Sequence, residues 1–224
     1  MGNKHSSQSV ENVELVSQSH EPVALHSDCT PLVLSAATKL RVEYISDVFS
    51  VLDHKTGELL FRYDEEFFSE WTEKMLMDGK NAPVVMMEKE LSYHKNYFIK
   101  SCDASHAQLC KIDACKSKST LDMTLKIKDA KSGEKVVVKI DADRKLRKVV
   151  MWVTRGKSPS DAICVISSSS SLSRMNSAEM FDGYDVDVAA GVDLTIVALF
   201  CIILHELVTD NAFVSGMAIG AAFG

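Results

Sequence analysis

The sequence lacks an apolar run long enough to cross a bilayer as a helix. Its most continuous apolar run, residues 194–204, would span roughly 16 Å as a helix, against about 30 Å of hydrocarbon. A helix that is apolar on all sides must be buried, and this length favours burial in protein. We therefore predict a core helix over residues 193–208, with Asp193 as its N-cap and Asp210-Asn211 at its end.

Motifs of the common enzyme classes are also missing. The sequence has no glycine-rich phosphate loop, no G-x-S-x-G nucleophile elbow and no H-E-x-x-H zinc motif. His205-Glu206 stands at the end of the predicted helix, where we expect it to cap the helix or to hydrogen-bond locally. The sequence therefore predicts no catalytic residues, no enzyme activity and no cofactor.

The six cysteines are not preceded by an apolar signal segment, so we expect reduced thiols in the cytoplasm. Four candidate zinc ligands follow one another at the spacing C-x3-H-x3-C-x4-C: Cys102, His106, Cys110 and Cys115. This spacing lacks the tight paired knuckles of structural zinc sites. Ordinary thiols are therefore favoured over a metal site.

Charge is unevenly distributed along the chain, although the net charge is only −6. Residues 111–157 contain 14 Lys and Arg against 6 Asp and Glu, whereas the remaining residues contain 11 against 25. A basic segment within an acidic protein is a candidate binding surface for an anionic partner. The alternative, which the pattern of charges alone favours, is an ordinary solvated face of a β protein.

Short β-type segments separated by turn residues follow from residue 32 onward, a pattern typical of one antiparallel sandwich or barrel domain. We predict strands at 42–52, 59–63, 83–87, 97–99, 107–112, 121–128, 135–140, 149–154, 163–166 and 184–188. Residues 67–77 fit either a short helix or a strand. The clearest alternation, at 121–140, directs four lysines outward: Lys126, Lys128, Lys135 and Lys139. Four more basic residues follow in the next connection: Arg144, Lys145, Arg147 and Lys148.

The two ends of the chain differ from this β-rich region. The first six residues match the M-G-x-x-x-[ST] pattern for N-myristoylation at Gly2, and polar composition predicts that residues 1–27 are disordered. Residues 211–224 form an apolar tail rich in Gly and Ala.

The serine run Ser167 to Ser171 indicates a mobile loop that phosphorylation could modify.

Three stretches resemble the LURP-one-related family. Tyr184 to Leu204 resembles its ending, in which a last strand leads into a V-D-x-x-x-I-V-A-L helix. The hairpin that contains Phe49, Asp53 and Gly57 is similar to an earlier family hairpin, and Met75-Leu-Met-Asp-Gly79 before Pro83 resembles its next turn. The chain departs from the family at His205-Glu206, where an acidic pair is usual, and in its tail.

The family is similar in fold to the tubby C-terminal domain and to phospholipid scramblases. The resemblance implies a mainly β fold, in which residues 28–210 form a closed antiparallel β-barrel of about twelve strands around a central C-terminal hydrophobic helix. It also implies a non-enzymatic, membrane-associated module that binds phosphoinositide or other anionic lipid headgroups. Under this hypothesis the headgroup-binding residues are Lys126, Lys128, Lys135, Lys139, Arg144, Lys145, Arg147 and Lys148, and Gly2 carries the lipid.

Two alternatives stay open. One is a soluble cytosolic adaptor in stress or defence responses, with no lipid ligand and an unknown protein partner. The other is a scramblase-like protein whose residues 194–224 span a bilayer, although His205, Glu206 and Asp210 interrupt that stretch and charges within a membrane are costly. We expect a monomer that binds no nucleic acid, located in the cytoplasm and peripherally at the inner face of the plasma membrane.

Overall fold

The computed structural model of the chain describes residues 10, 13–19, 22–25, 33–46, 48–64, 73–90, 95–116, 121–128, 134–142, 147–168 and 183–220, with helix side chains as far as residue 207. Twelve strands precede one helix. They are β1 (Thr38–Ile45), β2 (Val48–Asp53), β3 (Leu59–Asp64), β4 (Glu73–Asp78), β5 (Pro83–Lys89), β6 (Lys95–Ser101), β7 (Gln108–Lys116), β8 (Leu121–Lys128), β9 (Lys135–Ala142), β10 (Lys148–Arg155), β11 (Asp161–Ser167), β12 (Tyr184–Val188) and α1 (Leu194–Gly220).

The strands form a closed antiparallel barrel. Each strand pairs with its neighbours in sequence, and β12 pairs with β1 to close the sheet. Closure leaves no unpaired sheet edge, but the interior must then be filled with side chains. Alternate residues along each strand supply part of that filling, as in β8, where Leu121, Met123, Leu125 and Ile127 are buried. The predicted fold class is confirmed.

The helix α1 fills the rest of the interior. Every side chain from Leu194 to Leu207 is buried, as expected for a helix that is apolar on all sides. Asp193 is its N-cap, because its Oδ1 accepts a hydrogen bond of 2.9 Å from the backbone N–H of Thr195. We call the barrel end beside Asp193 the entry end, and the end beside Glu206 the exit end.

Two predicted boundaries were wrong. The helix does not end at Asp210-Asn211 but continues to Gly220, because Asp and Asn each cost less than about 1 kcal/mol within a helix. The predicted strand 42–52 is two strands joined by a tight turn at Ser46, whose φ is 52°. Neither glycine nor proline marks that turn. In the ambiguous stretch 67–77, β4 occupies the end, and residues 65–72 lie outside the described part.

The prediction of disorder over residues 1–27 was also wrong in its described parts. The backbone N–H groups of Val16, Gln18 and Val23 donate to the carbonyl groups of Ala162, Ala190 and Gly191 at 2.8, 2.7 and 2.9 Å. Val23 and Leu25 are buried in the main core. The frequent Ser and Gln residues led to the prediction of disorder, although apolar side chains between them pack against the barrel. Gly2, most of the serine run and residues 221–224 lie outside the described residues.

Candidate anion-binding face and polar cluster

Four of the predicted lysines lie on one outward face of the barrel. Lys126 and Lys128 on β8, and Lys135 and Lys139 on β9, are exposed, whereas Ile127, Val136 and Val138 between them are buried. Val137 is half-buried on the same outward face, directly opposite Lys126. The strand register places Lys128 directly opposite Lys135. Lys126 is the diagonal neighbour of Lys135 and Lys139, a spacing of about 7–8 Å between Cα atoms. The four ammonium groups therefore share one patch.

A fifth lysine joins this patch from β7. Lys111 lies directly opposite Lys126, and Asp113 lies close to both, with its carboxylate oxygens 2.8 Å from Lys111 Nζ and 3.7 Å from Lys126 Nζ. We call Lys111, Lys126, Lys128, Lys135 and Lys139 the lysine face. Sequence reasoning missed Lys111 because its position depends on the register between β7 and β8, which periodicity alone does not give.

Most of the lysine face is not neutralised by the described side chains. Asp113 accepts ion pairs from Lys111 and Lys126, whereas Lys128, Lys135 and Lys139 form no ion pair with any described residue. Like charges directly opposite each other in adjacent strands are destabilising. The pair Lys128 and Lys135 therefore favours a nearby anion.

Of the other predicted basic residues, the two that the structure describes, Arg147 and Lys148, lie away from this patch. Lys148 begins β10 and pairs with Ser167 at the exit end, and Arg147 immediately precedes it. The exposed carboxylate of Asp141, opposite Val150 on β10, lies between that end and Lys139. Arg144, Lys145 and Gly2 lie outside the described residues. Within the described residues, the structure therefore brings four of the predicted basic residues together and leaves Arg147 and Lys148 apart from them.

A second polar cluster closes the exit end of the barrel around Glu206. Glu206 is 4% exposed, and its carboxylate accepts hydrogen bonds from the hydroxyls of Tyr63 and Tyr97 at 3.2 and 3.1 Å. Lys74 Nζ and Lys89 Nζ lie 3.1 and 3.3 Å from the same carboxylate. Each ammonium group also lies over a tyrosine ring, 5.2 Å from Tyr63 and 5.9 Å from Tyr97.

These contacts correct the prediction that His205-Glu206 acts locally. These four partners of Glu206 come from β3 to β6, far away in the sequence. Burial raises the pKa of Glu206, but the charges of Lys74 and Lys89, together with the hydrogen bonds from Lys74 and Tyr97, outweigh it, so that the pKa is lowered overall. His205 packs instead against aromatic rings, with centroid distances of 4.4 Å to Tyr44 and 6.0 Å to Phe49.

A comparison with protein-family models identifies the family. The model described as LURP-one-related matches residues 37–205, which cover all twelve strands and the buried helix as far as His205. This chain belongs to the LURP-one-related family. It is also similar to a crystal structure of a protein from Arabidopsis thaliana, with a TM-score of 0.48 and 18% identity over 83% of this chain and 98% of that one. The search of curated proteins found no match.

The LURP-one-related barrel separates the four candidate zinc ligands. Cys110 faces the core, where burial raises the pKa of its thiol to about 12, whereas Cys115 is exposed on the outside of β7. Within the described ranges, no three His, Cys, Asp or Glu side chains form a group that could hold a metal ion. Two further thiols, Cys164 and Cys201, are buried, and burial raises the pKa of Cys201 to about 12 as well.

In the part of this LURP-one-related chain that the structure describes, no helix is sufficiently long and apolar to span a membrane.

Proposed function

We propose that this LURP-one-related barrel is a non-enzymatic, peripheral membrane-binding module. Its lysine face would hold anionic lipid headgroups, including phosphoinositides, at the inner face of the plasma membrane. The observation that carries this proposal is the directly opposed pair Lys128 and Lys135, for which no described carboxylate provides an ion pair. A phosphate between two such ammonium groups replaces their repulsion with two charge-assisted contacts.

The expected strength of this interaction suits reversible membrane binding. A basic residue near an anionic leaflet contributes about 1 kcal/mol, so that the five lysines, reduced by Asp113, supply a few kcal/mol at most. A single myristoyl chain at Gly2 gives only marginal binding on its own. The two contributions together are sufficient for stable attachment, because stable anchoring generally takes two signals.

Neutralising the opposed pair tests the proposal. We expect Lys128→Gln with Lys135→Gln to weaken binding to phosphatidylserine vesicles by about 30-fold, because about 2 kcal/mol of attraction is lost. The matched control is Lys55→Gln with Lys80→Gln, which removes the same charge from two exposed turn residues away from the lysine face. Co-sedimentation over a range of salt concentrations measures both, with phosphoinositide vesicles as a second arm.

Two results would overturn the proposal. One is equal weakening by the two double variants, since the net charge of the protein alone would then explain binding. The other is binding that is insensitive both to salt and to anionic lipid, because attraction between exposed charges is screened within about 10 Å at 0.1 M salt. In either case a soluble adaptor would become the better description.

A further inference from the structure

The outer surface of β10 and β11 carries an apolar patch. Val150, Ala162 and Val165 are 0%, 2% and 8% exposed and form a small cluster separate from the barrel interior. Trp152 is half-buried and packs on the same cluster. Val150 and Trp152 point outward, because Met151 between them belongs to the interior core and successive strand residues face opposite sides. We call Val150, Trp152, Ala162 and Val165 the covered patch.

A segment close to the N-terminus covers this patch. We call residues 13–19 the strap. Its Val13 and Leu15 pack on the covered patch, whereas Glu14 between them is exposed and is the only charged residue in the strap. With the strap in place, an apolar surface is therefore replaced by one that presents a carboxylate to its surroundings.

Hydrogen bonds attach the strap to the barrel. The backbone N–H groups of Val16 and Gln18 donate to Ala162 O and Ala190 O at 2.8 and 2.7 Å, and the Gln18 side chain donates to Asp161 Oδ2 at 3.3 Å. On release, water replaces each of these partners, so that each bond holds the strap only modestly. A short peripheral segment of this kind opens locally at far less cost than unfolding of the barrel.

The closed strap leaves Trp152 incompletely satisfied. The indole Nε1–H of Trp152 is buried and has no hydrogen-bond partner among the described residues. A buried indole N–H usually finds a partner, because an unpaired buried donor is costly. An environment that is apolar at one end and supplies acceptors at the other would remove this cost, and tryptophan is enriched at membrane interfaces for that reason.

The covered patch borders the lysine face. Trp152 lies directly opposite Lys139 in the pairing of β10 with β9, a separation of about 5 Å between Cβ atoms. Towards the exit end, the exposed Asp141 lies opposite Val150, and Lys148 lies two residues before Val150 on the outward side of β10. A flat surface that contacts Lys139 therefore also contacts the sector that the strap covers.

We propose that the strap is a displaceable cover, and that the covered patch, once uncovered, inserts into an anionic bilayer beside the lysine face. This inference rests on the proposed function and adds an apolar contact to it. The bilayer is the occupant that the charges favour, because Lys139 borders the patch. Its interface supplies oxygen acceptors to Trp152 Nε1 and an apolar layer to the ring. The closed strap then lowers the apparent affinity for membranes, since only the uncovered fraction of the protein binds fully.

The test compares two variants of the full chain that have the same net charge. Val13→Ser with Leu15→Ser removes the apolar contacts that hold the strap on the patch. The matched control, Val16→Ser, makes the same kind of change at a strap residue that is 42% exposed. Both are made with Trp71→Phe, which leaves Trp152 as the remaining one of two tryptophans. A red shift of its emission in buffer shows that the strap has left the patch.

We expect Val13→Ser with Leu15→Ser to bind phosphatidylserine vesicles about tenfold more tightly than Val16→Ser, the factor for a competent state that is populated to about 10% before release. Lipids with brominated acyl chains should quench Trp152 in the bound protein, because its ring then lies in the bilayer. Adding Trp152→Thr should abolish the tenfold gain, since the patch loses its largest apolar side chain.

Three results would overturn the inference: a released strap with no gain in vesicle binding, a gain that survives Trp152→Thr, or bound protein whose Trp152 is not quenched. A released variant that instead self-associates in sedimentation velocity, and binds vesicles no more tightly, would also overturn it, because a second copy of the chain would then be the occupant.

A second variant keeps the test decisive if the two serines leave the emission of Trp152 unchanged. In it, Gly and Ser replace every residue of the strap except Glu14, so that the cover is removed at constant net charge, and the same outcomes apply. Failure of the proposed function is distinguishable from failure of this inference. Lys128→Gln with Lys135→Gln would in that case leave vesicle binding unchanged, whether or not the strap is released.

Discussion

Glu206 shows what side-chain identity alone does not reveal. Its position beside His205 at the end of an apolar helix suggested a local role, but its partners are Lys74, Lys89 and two tyrosines from distant strands. Nothing in the local sequence identifies these partners, because the barrel closure brings them together. The lysines on β8 and β9 were predictable for the opposite reason: their outward direction follows from the two-residue period of a strand.

We predict that Glu206→Gln destabilises the protein at neutral pH by on the order of 2 kcal/mol, the value of hydrogen bonds to a charged group. The pKa of Glu206 is lowered from its ordinary value of 4.5 in the folded state. The stabilisation is therefore present above pH 4.5 and is lost as the pH falls through the folded pKa. Urea denaturation at neutral and acid pH measures the difference between the two proteins.

The matched control for this prediction is Glu58→Gln, which removes the same charge from an exposed glutamate in the turn after β2 and should leave stability unchanged at neutral pH. A difference between wild type and Glu206→Gln that stays constant from neutral pH to about pH 3 would contradict the assigned role. The carboxylate charge would then contribute nothing to the cluster.

Among the elements, strands with strict alternation were predicted well and short turns were not. For β8 and β9, the alternation in the sequence correctly predicted which residues face inward and which face outward, because one face of each strand is buried. The turn between β1 and β2 was missed because Ser46 adopts a positive φ without glycine. The packed segment at residues 13–19 was missed because Val13, Leu15 and Val16 stand among polar neighbours. Such a pattern does not indicate a packed segment until the surface beneath it is known.

The helix α1 carries the clearest prediction at this scale. Leu199 is fully buried at the centre of the barrel, and an unpaired carboxylate there cannot be solvated. We expect Leu199→Asp to yield insoluble protein, whereas the control Leu199→Met should cost less than about 1.5 kcal/mol. Solubility after expression and thermal melting of the soluble fraction measure both. A soluble Leu199→Asp protein that melts cooperatively would show that the helix lies outside the core.

For the whole molecule, the closed sheet determines which surfaces are available for binding. The interior is filled by α1, so that a large partner meets the outer faces of the strands or the barrel ends. In the closed strand order, β2 lies six strands away from β8, on the opposite side of the barrel. The fold class followed from the sequence pattern and the family resemblance. The shape of the lysine face did not, because it depends on the register of three adjacent strands.

The orientation of the barrel on a membrane tests the central claim most directly. Thr124 lies opposite Lys139 on the lysine-face side, and Ser50 lies on the outer side of β2 with similar partial exposure. A polarity-sensitive fluorophore is attached to a cysteine at either position, in a background with Cys29, Cys102 and Cys115 replaced by serine. On addition of phosphatidylserine vesicles, we predict a blue shift for the label at 124 and no change for the label at 50. A shift at 50 without one at 124, or equal shifts at both, would contradict the account.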